Sequence, residues 1–307
     1  MHRPINIRIQ TKLKAFALRC FYGIFLAPTA SLRSLPDFLI IGAQKAATTS
    51  LQDALSRKSF CLGSWRKETH FFDHNYFRGL GYYRRYFPLK VTMQLLSRIR
   101  KTQMLTCEAS PDYVCHPLAS KRIRAELGLI PLIVILRNPV TRAISQYYHN
   151  LRVGGTAREP LSLEEAIKLE EERIGTDLEH LEKGMIEYSG DVFFHGYAFR
   201  GRYGEQLKRY QDWFDQKLIK VVVFEEFAAD QDRVLREVCC FLTGTQPAST
   251  FEPIIAKNVG FKNKLFSRGV IEDLIAAFSE DRKVLEALTG RRFECWDKEN
   301  KLLLENA

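Results

Sequence analysis

Four short apolar runs punctuate the chain, at residues 37–42, 103–108, 131–137 and 219–225. The third, PLIVILR, and the fourth, IKVVVFE, are continuously apolar and rich in β-branched residues, as strands covered on both faces of a parallel sheet are. Between the runs the period lengthens. After DFLIIG, Leu51 and Leu55 fall four apart with Ala54 beside them, as on one helix face. PVTRAISQYYHNL places Val140, Ile144 and Tyr147 or Tyr148 together in the same way, and YGEQLKRYQDWF does so with Tyr203, Leu207, Tyr210 and Phe214. PLSLEEAIKLEEERIG opens with Ser162 and Glu165 in capping-box spacing, which predicts a helix whose acidic run is a solvated face. Strands alternating with helices predict an α/β fold, with ligands at the carboxyl ends of a central parallel sheet.

The stretch Gly42 to Ser50 is then a strand-to-helix turn carrying Lys45, Thr48, Thr49 and Ser50. A helix start offers unpaired N–H groups and positive dipole, so this turn suits a phosphate or sulfate. It is not an ordinary P-loop: Lys45 precedes Thr48 by three residues, Ala47 lies between, and no Walker-type magnesium ligand is evident. A second anion motif follows in VILRNPVTRAISQYYH. The strand delivers Arg137 at its end, Pro139 opens a helix at a tolerated position, and Ser145 lies two turns along. A guanidinium fork and a hydroxyl can meet one phosphate.

Composition narrows the partners. A chain of 307 residues with 46% hydrophobic and 12% aromatic residues can bury a full core, and one domain from Asp37 onward is the simplest division. A formal charge of +10 points to anionic partners without choosing among them. Seven scattered cysteines without a CxxC pair suit a reducing compartment, and adjacent Cys239 and Cys240 suit a core helix better than a bridge. No N-x-S/T acceptor occurs. These features predict a cytoplasmic protein. Residues 1–36 hold no acid but include Arg3, Arg8, Lys12, Lys14, Arg19 and Arg33; the apolar stretch from Cys20 to Ala27 is too short to span a bilayer. This basic N-terminal segment is either an amphipathic contact with an anionic membrane face or a solvated lead-in.

IIGAQKAATTSL resembles the 5′-phosphosulfate loop of sulfotransferases that use 3′-phosphoadenosine 5′-phosphosulfate (PAPS), and VILRNPVTRAISQYYH resembles their 3′-phosphate motif. RKETHFFDHN and GLGYYRRYFP are similar, in order and spacing, to the region after the first loop in heparan sulfate sulfotransferases and their bacterial relatives. The resemblance runs from Asp37 to about Trp296. It implies a P-loop-like three-layer fold, with a sulfotransferase domain over residues 37–300. It implies that Lys45, Ala46, Ala47, Thr48, Thr49 and Ser50 hold the 5′-phosphosulfate of PAPS, and that Arg137 and Ser145 hold the 3′-phosphate. Lys45 would also neutralise charge on the leaving phosphate oxygen. Glu68 would be the general base for an acceptor hydroxyl or amine; the alternative is a surface carboxylate paired to Lys67 or Arg66.

Further site residues follow with their alternatives. His70, Asp73 and His74 have a spacing that would suit a metal, but aromatic packing with His70 as a substrate-cleft histidine is preferred, and sulfuryl transfer needs no metal. CEASPDYVCHP resembles the family's Glu-Lys-Ser/Thr-Pro element, with Ala109 where animal members often carry Lys; Glu108 is a candidate acceptor contact or a structural group. KNVGFKNKLFSRG contributes Lys262 and Lys264, either closing over the adenosine or forming a solvated loop. Tyr82, Tyr83, Tyr86, Phe71 and Phe72 are candidates to stack on sugar rings, or are core. The expected function is sulfuryl transfer from PAPS to an acceptor, a carbohydrate by family inference, with no nucleic-acid partner. Its rivals are a P-loop kinase-like phosphotransferase and a non-catalytic polyanion- or membrane-binding protein.

Overall fold

The computed structural model describes residues 28–57, 60–152, 158–247 and 266–307, together with Leu26, Thr250 and Phe251. Five strands form its sheet: β1 (Phe38–Gly42), β2 (Cys61–Gly63), β3 (Leu105–Ala109), β4 (Leu132–Leu136) and β5 (Ile219–Val223). They run in the order β2-β3-β1-β4-β5, and every pairing is parallel. The four strands read from the sequence are all present. β2 was missed, because a three-residue edge strand leaves almost no apolar signature.

The longer helices are α1 (Thr48–Ser56), α2 (Lys90–Arg100), α3 (Ala119–Leu127), α4 (Pro139–Arg152), α5 (Glu170–Glu182), α6 (Tyr203–Gln211), α7 (Gln231–Thr243), α8 (Arg268–Thr289) and α9 (Glu294–Glu305). Helices cover both faces of the sheet, so every residue of β1, β3 and β4 is buried. Val140, Tyr147 and Tyr148 on α4, and Tyr203, Leu207 and Tyr210 on α6, turn inward as their spacing requires. Ser162 and Glu165 form both bonds of the capping box, but that helix stops at Lys168 and α5 begins afresh at Glu170. There the expectation of a solvated acidic run needs correcting. Glu170 is buried and accepts the backbone N–H groups of Ala198 and Phe199, each at 2.7 Å. Cys239 is buried on α7, as a core-helix cysteine.

β1 is the central strand, with β3 on one side and β4 on the other. Chain leaving β1 therefore emerges at the switch in strand order, where open α/β sheets bind ligands. Gly42 ends β1 at φ +155°, and a Cβ there would lie 2.8 Å from the Pro111 carbonyl oxygen. Only glycine lets the loop after β3 close against β1 at this point.

Candidate active site

Because β1 and β4 are hydrogen-bonded neighbours, the segments that follow them come together. Gly42 pairs with Val134, and the Ala43 N–H donates to the Ile135 carbonyl at 2.7 Å. One turn beyond, an Arg137 Nη1 donates to the Lys45 carbonyl at 3.3 Å. The two basic residues singled out from separate motifs thus share one pocket. Burial, and then the charges of Arg137 and Arg152, push the Lys45 ammonium below its ordinary value. No carboxylate forms an ion pair with Lys45 or Arg137 among the described residues. Like charges held together without a counter-charge favour an anion between them.

The loop is shaped for the same ligand. Lys45 and Ala47 adopt left-handed backbone conformations (φ 69° and 68°), at a typical cost of about 1–3 kcal/mol each for non-glycine residues. Ala47 is the N-cap of α1 and offers no capping side chain, and no acid stands in the first turn. The N–H groups of Thr48, Thr49 and Ser50 find no carbonyl partner among the described residues, so they remain free for an anion. Ala46 contributes differently from expectation: its side chain is buried and its N–H donates to the Ala43 carbonyl at 3.2 Å, so it supports the turn.

Arg137 is held from three directions. Its Nε donates to Thr141 Oγ1 at 3.0 Å, and its guanidinium lies 5.0 Å from the centre of the Phe224 ring. Next along the chain, the Asn138 N–H donates to Glu225 Oε1 at 2.8 Å, and its side-chain amide donates to Asn300 Oδ1 on α9 at 2.8 Å. Thr141, Ser145 and His149 follow Arg137 at intervals of four and share one face of α4. His149 is pushed below its ordinary pKa by burial, then by Lys45 and Arg152. Thr141, His149 and Arg152 were not singled out from the sequence, although the four-residue spacing from Arg137 carried the signal for the first two. Arg142, the second arginine of the motif, is fully buried and donates to Gln146 and to the Tyr197 carbonyl. It is structural.

A carboxylate centre lies after β2. Glu68 is about one-third exposed, with Lys67 Nζ at 3.4 Å and His70 Nε2 at 3.5 Å. His70 chiefly holds its carboxyl below the usual range; burial opposes this and Lys67 assists. Burial disfavours charge on His70, but Asp73 at 2.9 Å and Glu68 outweigh it and push its pKa up to about 11. His70 is therefore a cation clamped between two carboxylates. It stacks on His74, whose pKa burial lowers, at 4.6 Å between ring centres. Ligand atoms of His70, Asp73, His74 and Asp112 fall within 4.8 Å of one another, a grouping of which only the first three are apparent from their spacing along the chain. The two carboxylates already face internal cations, since Asp73 bonds His70 and Asp112 pairs with buried Arg200.

The acceptor-contact candidates divide. Glu108 has no exposure: it accepts from Thr69 N at 3.3 Å, from Ser110 Oγ and from Tyr83 OH at 3.3 Å. The acceptor-contact alternative is corrected in favour of the structural one, because no acceptor can reach a carboxyl enclosed this way. Phe71, Phe72, Tyr83 and Tyr86 are likewise core, leaving no ring face for a sugar. Tyr82 is half-buried, and its ring carries Arg85 at 3.8 Å and Arg78 at 4.9 Å. Lys262 and Lys264 lie outside the described residues.

Burial pushes the Glu108 carboxyl up to about 7, against its hydrogen bonds. An unfolded glutamate releases its proton near 4.5 while the folded one retains it. Stability should therefore fall as pH rises through this window and level off above it, by up to on the order of 3 kcal/mol. Glu108→Gln should lack the fall, so denaturant unfolding at pH 5 and pH 8 should show Gln gaining on Glu; parallel curves would contradict this.

The sequence matches the sulfotransferase domain family over residues 35–264. Over 131 residues it is 38% identical to heparan sulfate glucosamine 3-O-sulfotransferase 6 of Homo sapiens, covering 42% of this chain and 34% of that protein. Over 121 residues it is 31% identical to the membrane-associated sulfotransferase kil1 of Dictyostelium discoideum, covering 39% and 24%. The matched part thus spans about a third or less of these curated relatives. A sulfotransferase from Alicyclobacillus acidocaldarius superimposes with a TM-score of 0.61 at 30% identity, covering 86% of this chain and 99% of that one. A match running through the cradle after β1, the arginine after β4 and the carboxylate between them leaves one conclusion: the chain belongs to the sulfotransferase family.

Proposed function

We propose that this protein transfers the sulfuryl group of PAPS to a hydroxyl or amine of a carbohydrate. The observation that carries the proposal is the junction of Lys45 and Arg137, two cations without carboxylate partners among the described residues, at the uncapped start of α1. PAPS has anionic groups at both ends of its adenosine and so suits two adjacent anion sites. Lys45 and the N–H groups of Thr48, Thr49 and Ser50 would take the 5′-phosphosulfate; Arg137 and Ser145 would take the 3′-phosphate. Glu68, ionised at neutral pH, would accept the proton of the acceptor as its oxygen or nitrogen attacks sulfur. The sulfur–oxygen bond to the 5′-phosphate breaks, and its electron pair leaves on the phosphate oxygen beside Lys45. Positioning and fixed charge supply the acceleration.

The carbohydrate acceptor rests on likeness to the heparan sulfate relatives and on the basic surface around Tyr82. The test is transfer of labelled sulfate from PAPS across a panel of glycans, lipids and small phenols. Labelled glycan is expected; label confined to phenols or lipids would remove the carbohydrate acceptor. Magnesium-dependent phosphate transfer from ATP would favour the kinase reading. We place the protein at the cytoplasmic face of a membrane, with residues 1–36 as a basic contact. Among the described residues no helix is long and apolar enough to cross a bilayer.

A further inference from the structure

From the surface of α2 we infer a docking face for an anionic lipid membrane, separate from the sulfuryl-transfer site and adjoining the end of the basic N-terminal segment. Between Asn75 and Cys107 the chain has no Asp or Glu, but it has seven basic residues: Arg78, Arg84, Arg85, Lys90, Arg98, Arg100 and Lys101. α2 lies within this segment. Met93 anchors its inner face at 8% exposure. Val91, Leu95 and Ile99, at intervals of four, form an outward stripe with exposures of 64%, 56% and 67%. Lys90 begins the helix, while Arg98, Arg100 and Lys101 surround its end. An apolar stripe flanked by basic residues, in a segment that contains no Asp or Glu, is the pattern of a helix lying in a lipid interface.

The surface continues beyond α2. Lys90 Nζ donates to the Ser31 carbonyl at 3.2 Å, Ser34 N donates to the Pro88 carbonyl at 2.9 Å, and Arg33 bridges Leu89 in antiparallel fashion. This tie brings the turn Ala30–Leu32, with Leu32 61% exposed, to the start of α2. Residues 28–36, the described run of this acid-free segment, therefore reach the start of α2. Charge selects the occupant. Two copies of so basic a face repel one another, whereas an acidic leaflet attracts it, with each nearby cation strengthening binding about fivefold.

The test is sedimentation of the full chain with vesicles of phosphatidylcholine alone, or with about one-third phosphatidylserine added. Partition onto the serine-containing vesicles is expected. The triple substitution Val91→Ser, Leu95→Ser, Ile99→Ser should weaken it about tenfold or more. Arg98→Gln with Lys101→Gln should weaken it similarly and flatten its salt dependence. These side chains are exposed, so thermal unfolding should match that of the wild type and show that both variants fold. Undiminished partition of the folded serine variant would overturn the inference and leave membrane contact to residues 1–36. Loss of self-association by that variant, with vesicle binding unchanged, would overturn it in favour of a second copy. Neither result bears on sulfuryl transfer.

Discussion

Lys45→Ala is expected to lower sulfate turnover by about two to three powers of ten, the usual scale for losing one donor aimed at developing charge. The lysine stands beside Arg137 and, through space, Arg152, with its own charge disfavoured by burial and by both neighbours. Removing it should relieve repulsion in the empty protein, so the unfolding midpoint should hold or rise. The effect should therefore appear as lost kcat in a correctly folded enzyme. Lys45→Arg should recover little, because the wider, planar guanidinium cannot replace a compact ammonium on the left-handed turn at φ 69°. Measured kcat for both variants, with thermal unfolding alongside, checks this; wild-type turnover in Lys45→Ala would remove Lys45 from the chemistry.

Glu68→Gln is expected to cost about two to four powers of ten in kcat, the range for a positioned base. Glutamine keeps the shape beside Lys67 and His70 but cannot take a proton. The same pair fixes the pH profile. His70 holds the Glu68 carboxyl below its ordinary 4.5, so the base stays ionised to lower pH than a free glutamate would. The acid limb of wild-type kcat/KM should accordingly lie below that value. His70→Ala removes the leading cause of the depression, and its acid limb should move up in pH. An unmoved limb would mean that His70 does not tune Glu68; a Glu68→Gln enzyme as fast as the wild type would mean that another group takes the proton.

Most of the sheet and the pairing of two anion motifs were legible in the sequence, because buried parallel strands and strand-to-helix turns leave local patterns. What remained hidden depends on contacts distant along the chain. β2 is an edge strand with only Cys61 fully buried, so no apolar run marked it. Glu108 and Glu170 looked like any carboxylates until the fold enclosed them with N–H and hydroxyl partners more than a dozen residues away. Asp112 joined His70, Asp73 and His74 only because the segment after β3 packs against that after β2. Thr141 and His149 were within reach of sequence reasoning, since steps of four from Arg137 put them on the same helix face as Ser145. Tyr83 and Tyr86 show the opposite limit: an aromatic cluster reads the same whether it faces a sugar or a core.

The decisive measurement is titration calorimetry of wild type and Arg137→Ala with 3′-phosphoadenosine 5′-phosphate and with adenosine 5′-monophosphate. If Lys45 and Arg137 grip opposite ends of one nucleotide, the arginine variant should lose about tenfold to a hundredfold in affinity for the bisphosphate and little for the monophosphate. Equal losses for the two ligands, or none for either, would contradict a shared site.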